Sequence, residues 1–307
     1  MKPAATLLAE APALARPRVA DYLELAKPRV AVLVLFTVAV GALLAGGGAA
    51  DLTVLVHTIL GTALVAAGAS ALNQLLERHS DGLMRRTENR PLPAGRLQPV
   101  EVLVFGIVLG VAGIAYLALA LKTPTAAIVA AVTFLTYVGV YTPLKRVTPL
   151  NTLIGAVPGA LPPLIGWTAI RGELTGEAVG LFLILFLWQV PHFLAIAWIY
   201  REDYAKAGLL MLPVVDRGGR QTGQQVVTYC LALIPVSLVP TLYGSAGLLY
   251  VLGAVVLGLG FLAVGIGFAR DKTIAHARRL MRASLLYLPG LLALLLLNAA
   301  VGGALHP

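Results

Sequence analysis

LTVLVHTILGTALVAAGASALNQLLERHSDGLMRRTENRPLPAGR, residues 52–96, changes character part-way along. As far as residue 76 it is almost wholly apolar. At about 1.5 Å of rise per residue, that run is long enough to cross the roughly 30 Å hydrocarbon core of a bilayer. From Glu77 onward the stretch is dense in charge, Gly and Pro. A spanning helix that emerges into a polar loop accounts for both halves.

The rest of the chain repeats the pattern. Of its 307 residues 59% are hydrophobic and 12% charged, against about 45–50% and about 25% in soluble domains. Apolar runs predict spans at 30–48, 52–76, 98–119, 124–142, 150–169, 177–199, 224–243, 247–268 and 284–304. The runs are long and do not alternate, so helices are expected rather than a barrel. The predicted fold class is therefore all-α: a polytopic membrane bundle of nine transmembrane helices. Residues 1–28 read as an N-terminal arm and 29–305 as a single domain. The loops 77–97 and 200–223 read as ordered caps, because long loops in compact folds are usually functional and these carry Leu83, Met84, Leu209, Leu210 and Met211. Pro143, Pro149, Pro158, Pro162 and Pro163 break up the fourth and fifth spans.

The net charge of +9 reports topology and not nucleic-acid binding. With the N-terminus in the cytoplasm, 21 of the 23 Lys and Arg residues fall on the cytoplasmic side, and Lys122 and Arg171 on the other. Nine spans then put the C-terminus outside. The expected location is a bacterial plasma membrane. No apolar stretch precedes Val30, which argues against a cleaved signal peptide. The single cysteine, Cys230, excludes a disulfide framework or a thiolate metal cage within the chain.

Polar residues gather where three spans leave the membrane on one side. Asn73, Glu77 and Asp81 recur every four residues, so on a helix they form one stripe about 12 Å long. All three offer oxygen donors, and Arg85, Arg86, Arg90 and Arg96 follow. Mg²⁺ is commonly held by one or two carboxylates plus substrate phosphates, and guanidinium groups grip phosphate oxygens. A solvated helix end with ion pairs is the plainer reading. Asn73 weighs against it, because an amide inside an apolar span needs a partner. Arg201, Glu202, Asp203, Tyr204 and Lys206 end the sixth span on the same side, as do Lys145 and Arg146 in a Pro-bounded loop. These are open to two readings, a second half of one site or ordinary anchoring. His192, beside Pro191, could ligate haem iron, relay a proton or hydrogen-bond freed backbone. Trp188, Trp198, Tyr137, Tyr141, Tyr200 and Tyr204 read either as an interfacial belt or as faces for a cationic intermediate.

NQLLERHSDGLMRRTENRPLPAGR, residues 73–96, resembles the first signature of the UbiA-type intramembrane prenyltransferases, Asn-x3-Asp-x3-Asp followed by RTxxRPLPxG. Glu77 in the middle position is similar to the protoheme IX farnesyltransferase branch. DYLELAKPRV (21–30), YTPLKR (141–146), WQVPHF (188–193) and EDYAKAGLLMLPV (202–214) point the same way. The family's second signature, DxxxD, is absent, and Asp203-Tyr204 stands in its place. The resemblance implies that farnesyl diphosphate is joined to a vinyl group of haem B, with Mg²⁺ as cofactor, giving haem O and diphosphate. It implies that Asn73, Glu77, Asp81 and Asp203 hold metal and that Arg85, Arg90, Lys145 and Arg146 grip the diphosphate. His192 and Tyr204 would contact haem. Beyond the lipid bilayer, the expected partners are a downstream haem-modifying enzyme or a terminal oxidase assembly. Two other readings compete: a UbiA-type enzyme with an aromatic or quinone-precursor acceptor, and a secondary transporter with Asp81 and Asp203 as ion sites. Transporter sites usually lie at the midplane, and these clusters lie at the membrane edge.

Overall fold

The computed structural model describes residues 17–244 and 246–305. Among them, nine helical segments are long and apolar enough to cross a membrane. The expected arm over 1–28 lies partly outside the described residues. Its described part forms a short helix, α1 (Arg18–Leu25), before the first span, α2 (Pro28–Ala45). The second and third spans are α3 (Leu52–Asp81) and α4 (Pro99–Ala120).

The fourth span is composite. α5 (Thr125–Leu135) passes into a π-helical turn, Thr136–Tyr141, and ends in α6 (Thr142–Leu144). The fifth is α7 (Asn151–Ala160) and α8 (Pro162–Arg171), broken at Leu161 ahead of the two prolines. α9 (Gly176–Ile199) is the sixth, followed by the short α10 (Arg201–Lys206) and α11 (Leu212–Val215). α12 (Arg220–Ser237) with α13 (Val239–Leu242), α14 (Leu248–Asp271) and α15 (Ile274–Leu305) complete the bundle.

Two helices outrun their expected ends. α3 continues from residue 76 to Asp81, which puts the whole Asn73–Glu77–Asp81 stripe on one helix. α15 begins at Ile274 and not at 284, so Arg278, Arg279 and Arg282 lie on a helix and not in a loop. Its first turns bury Ala277 and Leu280 and leave those arginines exposed. A buried apolar stripe carries a helix past the point where mean hydropathy falls.

Lipid provides little hydrophobic drive between spans, so helices pack closely where side chains are small. α3 and α4 meet through Gly61, Gly68, Gly106, Gly110 and Gly113. α2 crosses α8 where Gly41 faces the Pro163 carbonyl and Gly166 faces the Val38 carbonyl. A Cβ at Gly166 would run into that backbone oxygen, and backbone cannot swing aside as a side chain can. Gly166→Val should therefore cost about 1–3 kcal/mol through overpacking. A lower melting temperature in detergent would show it, and an unchanged one would refute the crossing.

Candidate active site

The three polar stretches, far apart in sequence, meet at one end of the bundle. Each member of the α3 stripe is engaged by a cation from a different segment. Lys27, between α1 and α2, donates from Nζ to Asn73 Oδ1 at 3.0 Å. Lys145, just beyond α6, donates from Nζ to Glu77 Oε1 at 2.5 Å. Arg90, in the loop after α3, donates from Nη1 to Asp81 Oδ2 at 2.6 Å. Asn73 and Asp81 are almost fully buried. A buried charge is tolerated only when it is paired and hydrogen-bonded; Glu77 meets that condition through Lys145, and Asp81 meets it at Oδ2 only.

Local structure explains how the cations arrive. Asn73 Nδ2 donates to Thr142 Oγ1, which donates to the Tyr137 carbonyl inside the π turn. π turns are rare and occur often at functional sites. Here the turn brings the end of the fourth span, with Lys145, onto α3. The Lys145 ammonium also lies 4.5 Å from the centre of the Tyr141 ring. Burial works against that ammonium, but Tyr141 and Glu77 outweigh it and hold its pKa above the usual lysine value. Lys27 shifts the other way. Burial, then the nearby Arg90, push it down to about 7, although Glu77 pulls upward.

The loop after α9 closes over this end. The Leu210 N–H donates to the Lys145 carbonyl at 2.8 Å, and Asn151 Nδ2 donates to the Leu210 carbonyl at 2.8 Å. Arg86 donates to the Tyr204 hydroxyl at 3.2 Å and lies 5.0 Å from the Tyr200 ring centre. Arg146 donates to Ser80 Oγ at 3.1 Å. Arg201 lies 4.5 Å from the Trp198 ring centre. Several of the interfacial aromatics thus receive the protein's own cations.

The structure gathers Asn73, Glu77, Asp81, Arg90 and Lys145 into one cluster, and Arg146 joins α3 at Ser80. Asp203 is half-buried in α10, next to the Tyr204 that takes Arg86. Among the described residues, no three His, Cys, Asp or Glu side chains gather closely enough to cage a metal. Arg85 is exposed, and its neighbour Arg86 makes the contact to the second loop. His192 lies elsewhere, against α15. Its Nδ1 is 2.7 Å from Ser284 Oγ, and its ring stacks on Trp188 with centroids 5.1 Å apart. Charge counting takes Lys27 as one more cytoplasmic cation and cannot show its contact with Asn73. The DYLELAKPRV segment that contains it was the available signal.

The donor set suits a hard divalent cation. Two carboxylates and a carboxamide line one helix face, and Asp81 Oδ1 is buried without a hydrogen-bond partner. An orphaned carboxylate oxygen is costly unless something cationic takes it. Positively charged side chains crowd the same end, as binding of a polyanion requires.

A model described as the UbiA prenyltransferase family matches residues 34–300. The chain belongs to the UbiA prenyltransferase family. Curated relatives include the protoheme IX farnesyltransferase of Solibacter usitatus, 48% identical over 287 residues, covering 91% of this chain and 98% of that one. The Koribacter versatilis protein of the same name is 44% identical, covering 94% and 97%. Among solved structures, one described as digeranylgeranylglyceryl phosphate synthase has a TM-score of 0.78 at 18% identity, covering 92% and 98%. A UbiA homolog from Archaeoglobus fulgidus bound to DMAPP and Mg²⁺ has a TM-score of 0.63 at 16% identity, covering 92% and 99%. At such identities the structural likeness carries the fold: an all-α, multi-pass UbiA-type bundle. UbiA membership makes the chain a prenyltransferase and removes the transporter reading.

Proposed function

We propose that this protein transfers a farnesyl group from farnesyl diphosphate to a vinyl group of haem B, giving haem O and diphosphate. The observation that carries this is the near full-length identity to protoheme IX farnesyltransferases. The cation-rich end of the bundle supports it chemically. We place that end in the cytoplasm of a bacterial plasma membrane, in line with the one-sided distribution of Lys and Arg. On this reading the N-terminus is cytoplasmic, the C-terminus lies outside, and haem O passes to a downstream haem-modifying enzyme or oxidase assembly.

Asn73, Glu77 and Asp81 would hold Mg²⁺, with Asp203 contributing from the second loop. Bound there, the metal would draw charge off the diphosphate. Arg90, Lys145, Arg146 and Arg85 would grip its oxygens. As the allylic C–O bond breaks, negative charge grows on the leaving oxygens. Cations fixed in place beforehand stabilise that charge more in the transition state than in the ground state. The terminal vinyl carbon of haem then bonds to C1 of the farnesyl group. Positive charge left on the carbon beside the pyrrole ring takes water, and loss of a proton leaves the hydroxyl. The bundle interior keeps water from the allylic cation before that bond forms.

His192 and Tyr204 are our candidates for haem contact. Ser284 Oγ donates its single proton to the Met281 carbonyl at 2.6 Å, so it accepts from His192 Nδ1–H. That fixes the tautomer and leaves the Nε2 lone pair to serve as a ligand or acceptor. His192→Ala should weaken haem binding about tenfold, the worth of one good polar contact, and spare diphosphate binding. Haem titration followed in the Soret band measures the first, and equal losses for both substrates would make His192 structural.

The direct test is incubation of purified protein in lipid nanodiscs with haem B, farnesyl diphosphate and Mg²⁺, with products weighed by mass spectrometry. Haem O is the expected product. Its absence, together with prenylation of hydroxybenzoate, would replace the haem reading with the aromatic-acceptor one. Loss of product on chelation tests the metal requirement.

A further inference from the structure

Lys27 is the surplus cation of the site. Glu77 and Asp81 are each matched by a cation of their own, Lys145 and Arg90. Lys27 has no carboxylate within ion-pairing distance among the described residues and reaches instead the neutral Asn73 carboxamide at 3.0 Å. Its charged neighbours are Arg90, Glu77, Lys145 and Asp81. Three ammonium or guanidinium groups thus crowd two carboxylates, an arrangement that calls for a further anion.

The chain goes to some length to put Lys27 there. Its backbone is left-handed, φ 47° and ψ 61°, a region where a side-chain-bearing residue is strained. The strain is held from both sides. After it, Pro28 opens α2. Before it, α1 is fastened to the end of the bundle. Arg96 donates from Nε to Asp21 Oδ1 at 2.8 Å and from Nη2 to Glu24 Oε2 at 3.3 Å. Gln74, next to Asn73, donates to the Leu25 carbonyl at 3.0 Å. Leu25 is fully buried against Ala71, Leu72 and Leu75 of α3. A lysine serving only as a membrane anchor would need none of this.

We propose that Lys27 binds the prenyl diphosphate directly, as a third cation beside Arg90 and Lys145, and that Arg96 is the positioning residue that holds it in place through α1. This rests on the assignment of the α3 stripe as the diphosphate site, and it adds a role for the N-terminal helix. Ammonium oxygen-contact geometry is loose, so arginine can take over part of the charge role, whereas glutamine keeps only a donor toward Asn73.

The test is calorimetric titration of the purified full chain with inorganic diphosphate in the presence of Mg²⁺, alongside steady-state kinetics. Lys27→Gln should weaken diphosphate binding by at least about tenfold, the scale of one charge-assisted hydrogen bond. The KM for farnesyl diphosphate should rise and the KM for haem should hold. Lys27→Arg should recover most of the affinity. Arg96→Met should weaken diphosphate in the same direction, yet add little on top of Lys27→Gln, because the two act through one contact. Wild-type diphosphate binding in Lys27→Gln, with binding lost in Asp81→Asn, would overturn the role of Lys27 and leave the site standing. Wild-type binding in both variants would overturn the site assignment itself. Additive losses from Lys27→Gln and Arg96→Met would remove Arg96 from the positioning role.

Discussion

Asp81→Asn is expected to abolish farnesyl transfer and leave the protein intact in the membrane. The substitution keeps the shape of a side chain that is almost fully buried. It removes the charge that Arg90 answers at 2.6 Å, and it changes Asp81 Oδ1, the one oxygen of the stripe that is buried without a hydrogen bond. A neutral amide can neither balance a divalent cation nor hold Arg90 by charge. Removing a single electrostatic group from a preorganised site commonly costs about 10²–10³ in rate, and this residue would act on both metal and guanidinium. A loss in kcat/KM beyond about a hundredfold, read from haem O formation with expression unchanged, is the expected result. Near-normal turnover would show that the reacting diphosphate lies somewhere else.

Lys145→Met should harm both stability and activity, and a second substitution should separate the two. Lys145 sits against Glu77 and the Tyr141 ring. Without it, the buried Glu77 keeps its charge with its closest partner gone, which typically costs about 3–5 kcal/mol. The melting temperature in detergent should fall accordingly. Adding Glu77→Gln removes the stranded charge, so the double variant should regain most of that melting temperature. Activity should stay lost, because neither the carboxylate proposed to hold the metal nor the ammonium proposed to grip phosphate is restored. If activity returned with stability, the pair would be a structural strut and not part of the reaction.

Most of the helical framework was legible because lipid makes a long apolar run unambiguous. Apart from the far end of the second span and the start of the ninth, the spans fall within a few residues of their expected positions. The ends were less legible for a physical reason. Hydropathy stops where charges begin, but α3 and α15 continue as helices because Asn73, Ser80 and Asp81 on one and Ala277, Leu280 and Ser284 on the other remain buried. The acidic stripe could be read from its spacing, and the one-sided charge put Lys145 on the same membrane side as Glu77. Three things could not be read. Lys27 looked like one more anchoring cation, and its contact with Asn73 depends on the docking of α1. The choice between Arg85 and Arg86 depends on where a loop points, which composition does not encode. His192 could be singled out as an intramembrane polar residue, but its pairing with Ser284 joins residues 92 apart on two helices.

The π turn at Thr136–Tyr141 has a bearing on how such a protein can diverge. One residue of an α-helix is worth about 100° of rotation. Trimming Gly139, which has open space around it, would close the wide turn to a regular α-helix with its flanks in nearly the same rotational register, so Lys145 should stay turned toward Glu77. The wide turn therefore works as a register buffer: a residue can be gained or lost within it without turning the Lys145 end of the span away from α3.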